Sequence, residues 1–161
     1  MKRDILRWPD ARLKLVAVRA SVDDATLALA ADMLETMYAA QGRGLAAPQV
    51  GVLTRVFVMD ATWKSGAGSP ETFLNPEIIW RSDEMIDSPE GCLSIPGVLA
   101  EVRRAKEIIL RWVMLDGSIA AQKLVGFRAI CAQHEIDHLD GIVTLDHLSA
   151  VARAEAESML T

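Results

Sequence analysis

The sequence has little of what a secreted, membrane-spanning or nucleic-acid-binding protein requires. Only two cysteines, Cys92 and Cys131, occur in its 161 residues. That is too few for a disulfide-stapled scaffold, so each thiol needs its own explanation. No apolar run is long enough to span a bilayer. The opening MKRDILRWPD places an aspartate directly after two basic residues, and no apolar stretch of signal-peptide length follows. There is no excess of positive charge. The formal net charge is −5, which argues against a whole-surface basic field for nucleic acid. Repeats and low-complexity tracts are also lacking. These absences point to a cytoplasmic protein with no membrane association and no direct nucleic-acid binding.

What is present suits one folded domain over residues 1–161, with 51% hydrophobic and 24% charged residues. Residues 1–12 read as irregular, with a turn at Pro9-Asp10. From about Asp23 to Gln41, apolar residues at Leu27, Ala30, Leu34 and Met37 or Tyr38 have helical spacing, and Gly42 lies just past the end. The period then changes. TRVFVMDA, ETFLNPEIIW and AKEIILRWVMLDG read as strands separated by a Gly/Ser loop over 64–70, and Asp116-Gly117 is a hairpin signal before SIAAQKLV. Helices follow over about 126–139 and 146–159, the last expected to pack Val151 on the domain. The class is α+β, with antiparallel sheets around a central helix and a C-terminal helix.

That central helix carries CAQHEIDHLDG. His134 and His138, four apart, project from one helix face, and Glu135 lies beside them. The pattern suits metal-assisted hydrolysis: a cation lowers the pKa of its water and a carboxylate removes the proton. A catalytic site of this kind needs a third ligand. A histidine six residues beyond the second would complete H-E-x-x-H-x-x-G-x-x-H; Gly141 fits, but the last position is Thr144 and His147 comes three residues late. Glu155 and Glu157 are formally available near the chain end. Cys92, in SPEGCLSIPG between Pro89 and Pro96, offers a thiolate suited to zinc or ferrous iron. Cys131, one turn before His134, would crowd a single side of the metal and reads as core or pocket lining. Spacing alone leaves Cys92 and the late glutamates open.

With GRGLAAPQ, EGCLS and HEIDH standing in that order, and an opening ILRWPDARL, the sequence resembles the peptide deformylases over nearly its whole length. The resemblance implies hydrolysis of the N-formyl group of formylmethionine peptides by a monomer. It implies Cys92, His134 and His138 as ligands of one divalent metal, ferrous iron in the cell, with zinc, nickel or cobalt also able to bind. Glu135 would be the acid/base, with Gln49 and the Leu93 N–H donating to the formyl oxyanion. Glu90 would pair with Arg104 and brace the cysteine segment. Asp137 would bind an imidazole or a backbone group, or lie on the surface. Phe127, Ile130 and Cys131 would line the methionine pocket, and Gly44 would let a substrate backbone approach. Two features depart from the family. Arg43 stands where an aliphatic residue is usual, and its guanidinium either turns outward over the pocket rim or meets the substrate, which leaves a deformylase-like protein with altered preference or lost turnover as the alternative. LSAVARAEAESMLT has one arginine and two glutamates, so transient ribosome contact through this helix is weakly supported.

Overall fold

The computed structural model describes residues 1–160. Helix α1 (Asp24–Ala39) starts at Asp23, whose carboxylate accepts the Thr26 N–H at 2.8 Å and satisfies one orphan donor of the first turn. Its end differs from a stop at Gly42. Gln41 takes a left-handed φ of 60°, and the Gln41 and Gly42 amides return to the Tyr38 and Met37 carbonyls at 3.0 and 2.9 Å. Glutamine thus fills a position that glycine usually occupies. Of the expected inward face, Ala30, Leu34, Met37 and Tyr38 meet the core, and only Leu27 turns out. Leu29, Ala30, Met33 and Met37 are buried, while Leu27 is 42% exposed.

Seven strands follow: β1 (Gly44–Ala46), β2 (Val56–Met59), β3 (Glu71–Arg81), β4 (Met85–Cys92), β5 (Ile95–Ala105), β6 (Glu107–Val113) and β7 (Ile119–Val125). Five form an antiparallel sheet in the order β1-β2-β3-β6-β7, and β4 pairs with β5 alone. Every residue of β2 is buried because helices cover both faces of the sheet. Val56 and Val58 join Leu29, Met33 and Met37 of α1. Phe57 and Met59 alternate to the other face, against Ala129, Ala132 and Ile136 of helix α2 (Gly126–Leu139). There Phe57 stacks on Phe73 with ring centroids 4.5 Å apart, and Phe73 meets Trp112 at 4.8 Å. The Gln133 side chain fastens α2 to the end of β5, accepting from Ala105 N and donating to Ala105 O at 3.1 and 2.9 Å.

The β4–β5 hairpin, which holds the Cys92 segment between Pro89 and Pro96, is not among the strands expected from the sequence. A two-stranded hairpin leaves an open edge on each strand, and proline is tolerated there because it removes no interior ladder bond. Helix α3 (Ala150–Ser158) also begins later than 146. Asp146 belongs to a 3₁₀ turn (Thr144–His147), where it accepts the Val143 N–H at 2.9 Å, and Ser149 caps α3 through Ala152 N at 3.2 Å. The packed residue of α3 is Ala156; Val151 is 72% exposed and does not dock.

Helix α2 ends at Gly141, with φ of 73°, and the Gly141 and Ile142 amides cap the His138 and Asp137 carbonyls at 3.2 and 2.9 Å. A Cβ at this position would also stand 2.6 Å from the Lys14 carbonyl oxygen. Gly141→Ala is therefore expected to destabilise the protein by about 2–4 kcal/mol, combining left-handed strain with a backbone clash. Urea unfolding measures it; a loss below about 0.5 kcal/mol would show that the N-terminal segment yields freely.

Candidate active site

Helix periodicity places His134 and His138 one turn apart on α2, their rings edge to face with centroids at 5.0 Å. The last residue of β4 brings Cys92 Sγ to 3.4 Å from His138 Nε2. Ligand atoms of these three residues lie within 4.8 Å of one another, the one such group of histidine, cysteine and acidic side chains among the described residues. The other ligand candidates lie elsewhere. His147 Nε2 is 2.8 Å from Asp137, Glu157 pairs with Arg153 at 3.1 Å, and Glu155 is exposed on α3. Cys131 Sγ is buried in the core, 4.0 Å from the Arg43 carbonyl oxygen.

Behind the cluster runs a chain of buried charge. His134 Nδ1 lies 2.8 Å from Glu90 Oε1. Arg104 grips both Glu90 oxygens at 2.8 Å through Nε and Nη2, and its Nη1 donates to Asp137 Oδ2 at 2.6 Å. Asp137 thus belongs to this chain and not to a solvated helix face. Burial pushes the Glu90 carboxyl up, but Arg104 and His134 outweigh it and hold it at about 2. An ionised Glu90 accepts the Nδ1 proton of His134, which fixes the tautomer and leaves Nε2 for the cluster.

Glu135 is 3% exposed. Burial, followed by the opposing pull of His134 and His138, leaves its carboxyl above the usual range. Its Oε1 and the His138 Nδ1 have no hydrogen-bond partner among the described residues. The space that glycine leaves at Gly44 is used within the protein: a Cβ there would sit 2.5 Å from Glu135 Oε2 and 2.7 Å from Cys131 Sγ. Gln49 is 1% exposed and its amide is oriented at both ends. Oε1 accepts from Ala46 N at 3.0 Å, while Nε2 donates to Ser94 Oγ at 3.0 Å and points at Cys92 Sγ at 3.6 Å. Ser94, fully buried on the β4–β5 turn, has no role in the sequence reading; its place as the last residue of EGCLS was the available signal. Leu93 precedes it on that turn, and its side chain packs against Gly42.

These groups open on a cavity of about 850 Å³. Glu135, His134, Cys92 and Gln49 line it, as do Leu93 and Glu90; His138 and Arg104 stand behind. Phe127, Ile130 and Cys131 supply an apolar wall, with Gly44 and Arg43 at one side. The Arg43 guanidinium carbon lies 3.8 Å from the Phe127 ring centroid, so the cation rests over the ring at one side of that wall.

The residues fit a divalent cation. One sulfur and two imidazole nitrogens form a donor set suited to zinc or ferrous iron. Burial pushes the Cys92 thiol up, yet the His138 and His134 imidazoles hold it well below the usual range, so the ligating thiolate is the favoured form. Cys92 and Glu135 together bring negative charge to a water-poor spot that a cation would neutralise.

The family model described as polypeptide deformylase matches residues 2–154. The chain is 46% identical to the peptide deformylase of Phenylobacterium zucineum over 155 residues, covering 96% of this chain and 92% of that one. It is 51% identical to that of Alkalilimnicola ehrlichii over 151 residues, covering 93% and 84%. Among solved structures, a peptide deformylase from Legionella pneumophila superposes with a TM-score of 0.94 at 37% identity, covering 99% of this chain and 94% of that one. The Ehrlichia chaffeensis peptide deformylase in complex with actinonin gives 0.92 at 39% identity, covering 98% and 95%.

Arg104→Leu tests the buried charge chain. Removing one partner strands Glu90 without its counter-ion, and a loss of about 3–5 kcal/mol in urea unfolding is expected. A variant as stable as the parent would mean that Glu90 is hydrated and the chain is not tight.

Proposed function

The chain belongs to the peptide deformylase family and removes the N-formyl group from nascent peptides, and on that premise we propose that Cys92, His134 and His138 hold its metal while Glu135 moves the proton. The metal in the cell is proposed to be ferrous iron, with zinc, nickel or cobalt able to substitute. What carries this reading is the convergence of a sulfur, two imidazoles and an unpartnered buried carboxylate on one cavity. The reading takes residues 1–161 as one catalytic domain, acting as a cytoplasmic monomer on formylmethionine nascent chains. No helix among the described residues is long and apolar enough to cross a membrane. Arg153 of α3 is paired with Asp146 and Glu157, so contact with the ribosome through this helix is at most transient.

A divalent cation bound here supplies Lewis-acid polarisation and makes water a nucleophile near neutral pH. The protein's own groups do the rest. Glu135 takes a proton from the attacking water, whose oxygen bonds to the formyl carbon. As the carbon–nitrogen bond breaks, Glu135 returns that proton to the departing amine and formate leaves. Gln49 Nε2 and the Leu93 backbone N–H donate to the oxygen on which negative charge develops. The Gln49 bond to Ala46 keeps its NH₂ end forward, toward Ser94 Oγ and Cys92 Sγ, so the donor end of the amide is already on the cavity side as charge builds. Strand β1 is the end strand of its sheet, and its outer edge near Gly44 is suited to take the peptide backbone as an added strand. Phe127, Ile130 and Cys131 receive the methionine side chain. Glu90, held by Arg104, keeps the His134 ring in place.

The test is formate release from formyl-Met-Ala-Ser by protein prepared without oxygen, with its metal content measured. Glu135→Gln should lower kcat by about 10²–10⁴-fold while metal stays bound. Cys92→Ser should lose metal. A Glu135→Gln protein with undiminished kcat, or a Cys92→Ser protein with full metal content, would remove those residues from their roles.

A further inference from the structure

The entrance of the cavity carries charge that formyl hydrolysis does not use. Arg43, Lys64 and Lys106 line it. The acidic residues that line it, Glu90 and Glu135, are 6% and 3% exposed and lie below the rim. Arg43 and Lys64 make no ion pair among the described residues. Both lie near aromatic rings instead: Arg43 is 3.8 Å from the Phe127 centroid and Lys64 is 5.6 Å from that of Trp63. Lys106 is partly compensated by exposed Glu84 at 3.1 Å. A chain of net charge −5 therefore presents a cationic rim at this one entrance.

The rim is held in place. Lys64 sits in the 3₁₀ turn Trp63–Ser65, and Trp63 Nε1 donates to the Gly42 carbonyl at 2.9 Å, next to Arg43. Fully buried Asp60 closes the same loop by accepting the amides of Thr62, Trp63 and Ser69 at 3.2, 3.1 and 3.0 Å, and the Tyr38 hydroxyl besides. Asp60 N in turn donates to the Arg43 carbonyl at 2.9 Å. The two unpaired cations are thus mounted on one braced unit, with the Arg43 guanidinium over the Phe127 ring.

A peptide whose formyl end reaches Glu135 must leave the cavity past this rim. We propose that the rim selects formylated peptides that carry an aspartate or glutamate in the residues directly after the formylmethionine, a statement that rests on the deformylase reading. Arg43 and Lys64 bind the acidic side chain, and a basic residue at the same place is repelled. The discrimination appears in KM, because these charges meet the substrate far from the scissile bond and equally in ground and transition states.

The test uses metal-loaded protein and amidated formyl-Met-Ala-Asp-Ala and formyl-Met-Ala-Lys-Ala, with calorimetry on the two deformylated products. The acidic peptide should be favoured about fivefold to tenfold in kcat/KM at low ionic strength. The preference should shrink in about 0.5 M salt and fall below about twofold in the Arg43→Gln/Lys64→Gln protein. Equal efficiencies and equal affinities for the two peptides, or a preference unchanged in the double variant, would overturn the assignment. So would a preference found only with free-acid peptides, which would give the rim to a terminal carboxylate. If neither formylated peptide is hydrolysed while the acidic product still binds more tightly, the deformylase reading falls and the charge selectivity stands.

Discussion

A guanidinium that is 4% exposed must have its charge answered inside the protein, and the answer to Arg104 organises the site. Its partners come from separate elements: Glu90 from β4 and Asp137 from α2, with His147 of the following 3₁₀ turn beyond Asp137. Glu90 reaches on to His134. Hairpin, helix and turn are thereby locked in one register, and the two elements that carry Cys92 and the two histidines cannot slide past each other without separating ions in a region of low dielectric. Such a network adds little net stability over a well-packed apolar core, since desolvation consumes most of the Coulomb gain. Its consequence is geometric. Breaking any link leaves a charge alone, so the arrangement that satisfies all of them is strongly preferred.

The second constraint is crowding at Gly44. The end strand of the main sheet passes so close to α2 that any side chain there would displace the Glu135 carboxylate. The same strand leads into Gln49, whose amide is fixed by the Ala46 amide and Ser94. One short segment therefore aims an amide donor, buttresses the carboxylate and ends the sheet with an unpaired edge. Close packing of backbone against the reacting groups also keeps Glu135 dry, and burial leads the causes that raise its carboxyl above the ordinary range.

What could be read in the sequence follows from how local its cause is. His134, Glu135 and His138 depend only on helical period, and the strands over 54–61 and 105–125 on β-branched and aromatic content and an Asp-Gly turn. The α+β class came from the same signals. The β4–β5 hairpin did not, because Pro89, Gly91, Pro96 and Gly97 depress strand propensity and are tolerated only on open edges. At Gln41 a left-handed residue without glycine hid the end of α1. Asp146 imitated a helix cap while serving the turn before it, and the real cap was Ser149. Val151 belongs to a helix docked through the smaller Ala156, which hydropathy alone does not single out. The roles of Ser94 and Asp137 in the structure depend on contacts between distant segments, which no local pattern carries.

These constraints also leave the Arg43 side chain outside the buried network. The Arg43 carbonyl accepts Asp60 N and lies against Cys131 Sγ. Its side chain bears no such obligation and rests on a half-open aromatic face. Cys92, His134, Glu135 and Gln49 are each tied by two or more partners or by close packing, so substitution there would propagate into the Cys92–His134–His138 cluster. A side chain held by one ring contact at the rim can change without disturbing the buried cluster. The Cys92–His134–His138 cluster is therefore fixed at the buried end of the cavity, while the rim cations that we propose to select peptides lie outside that network.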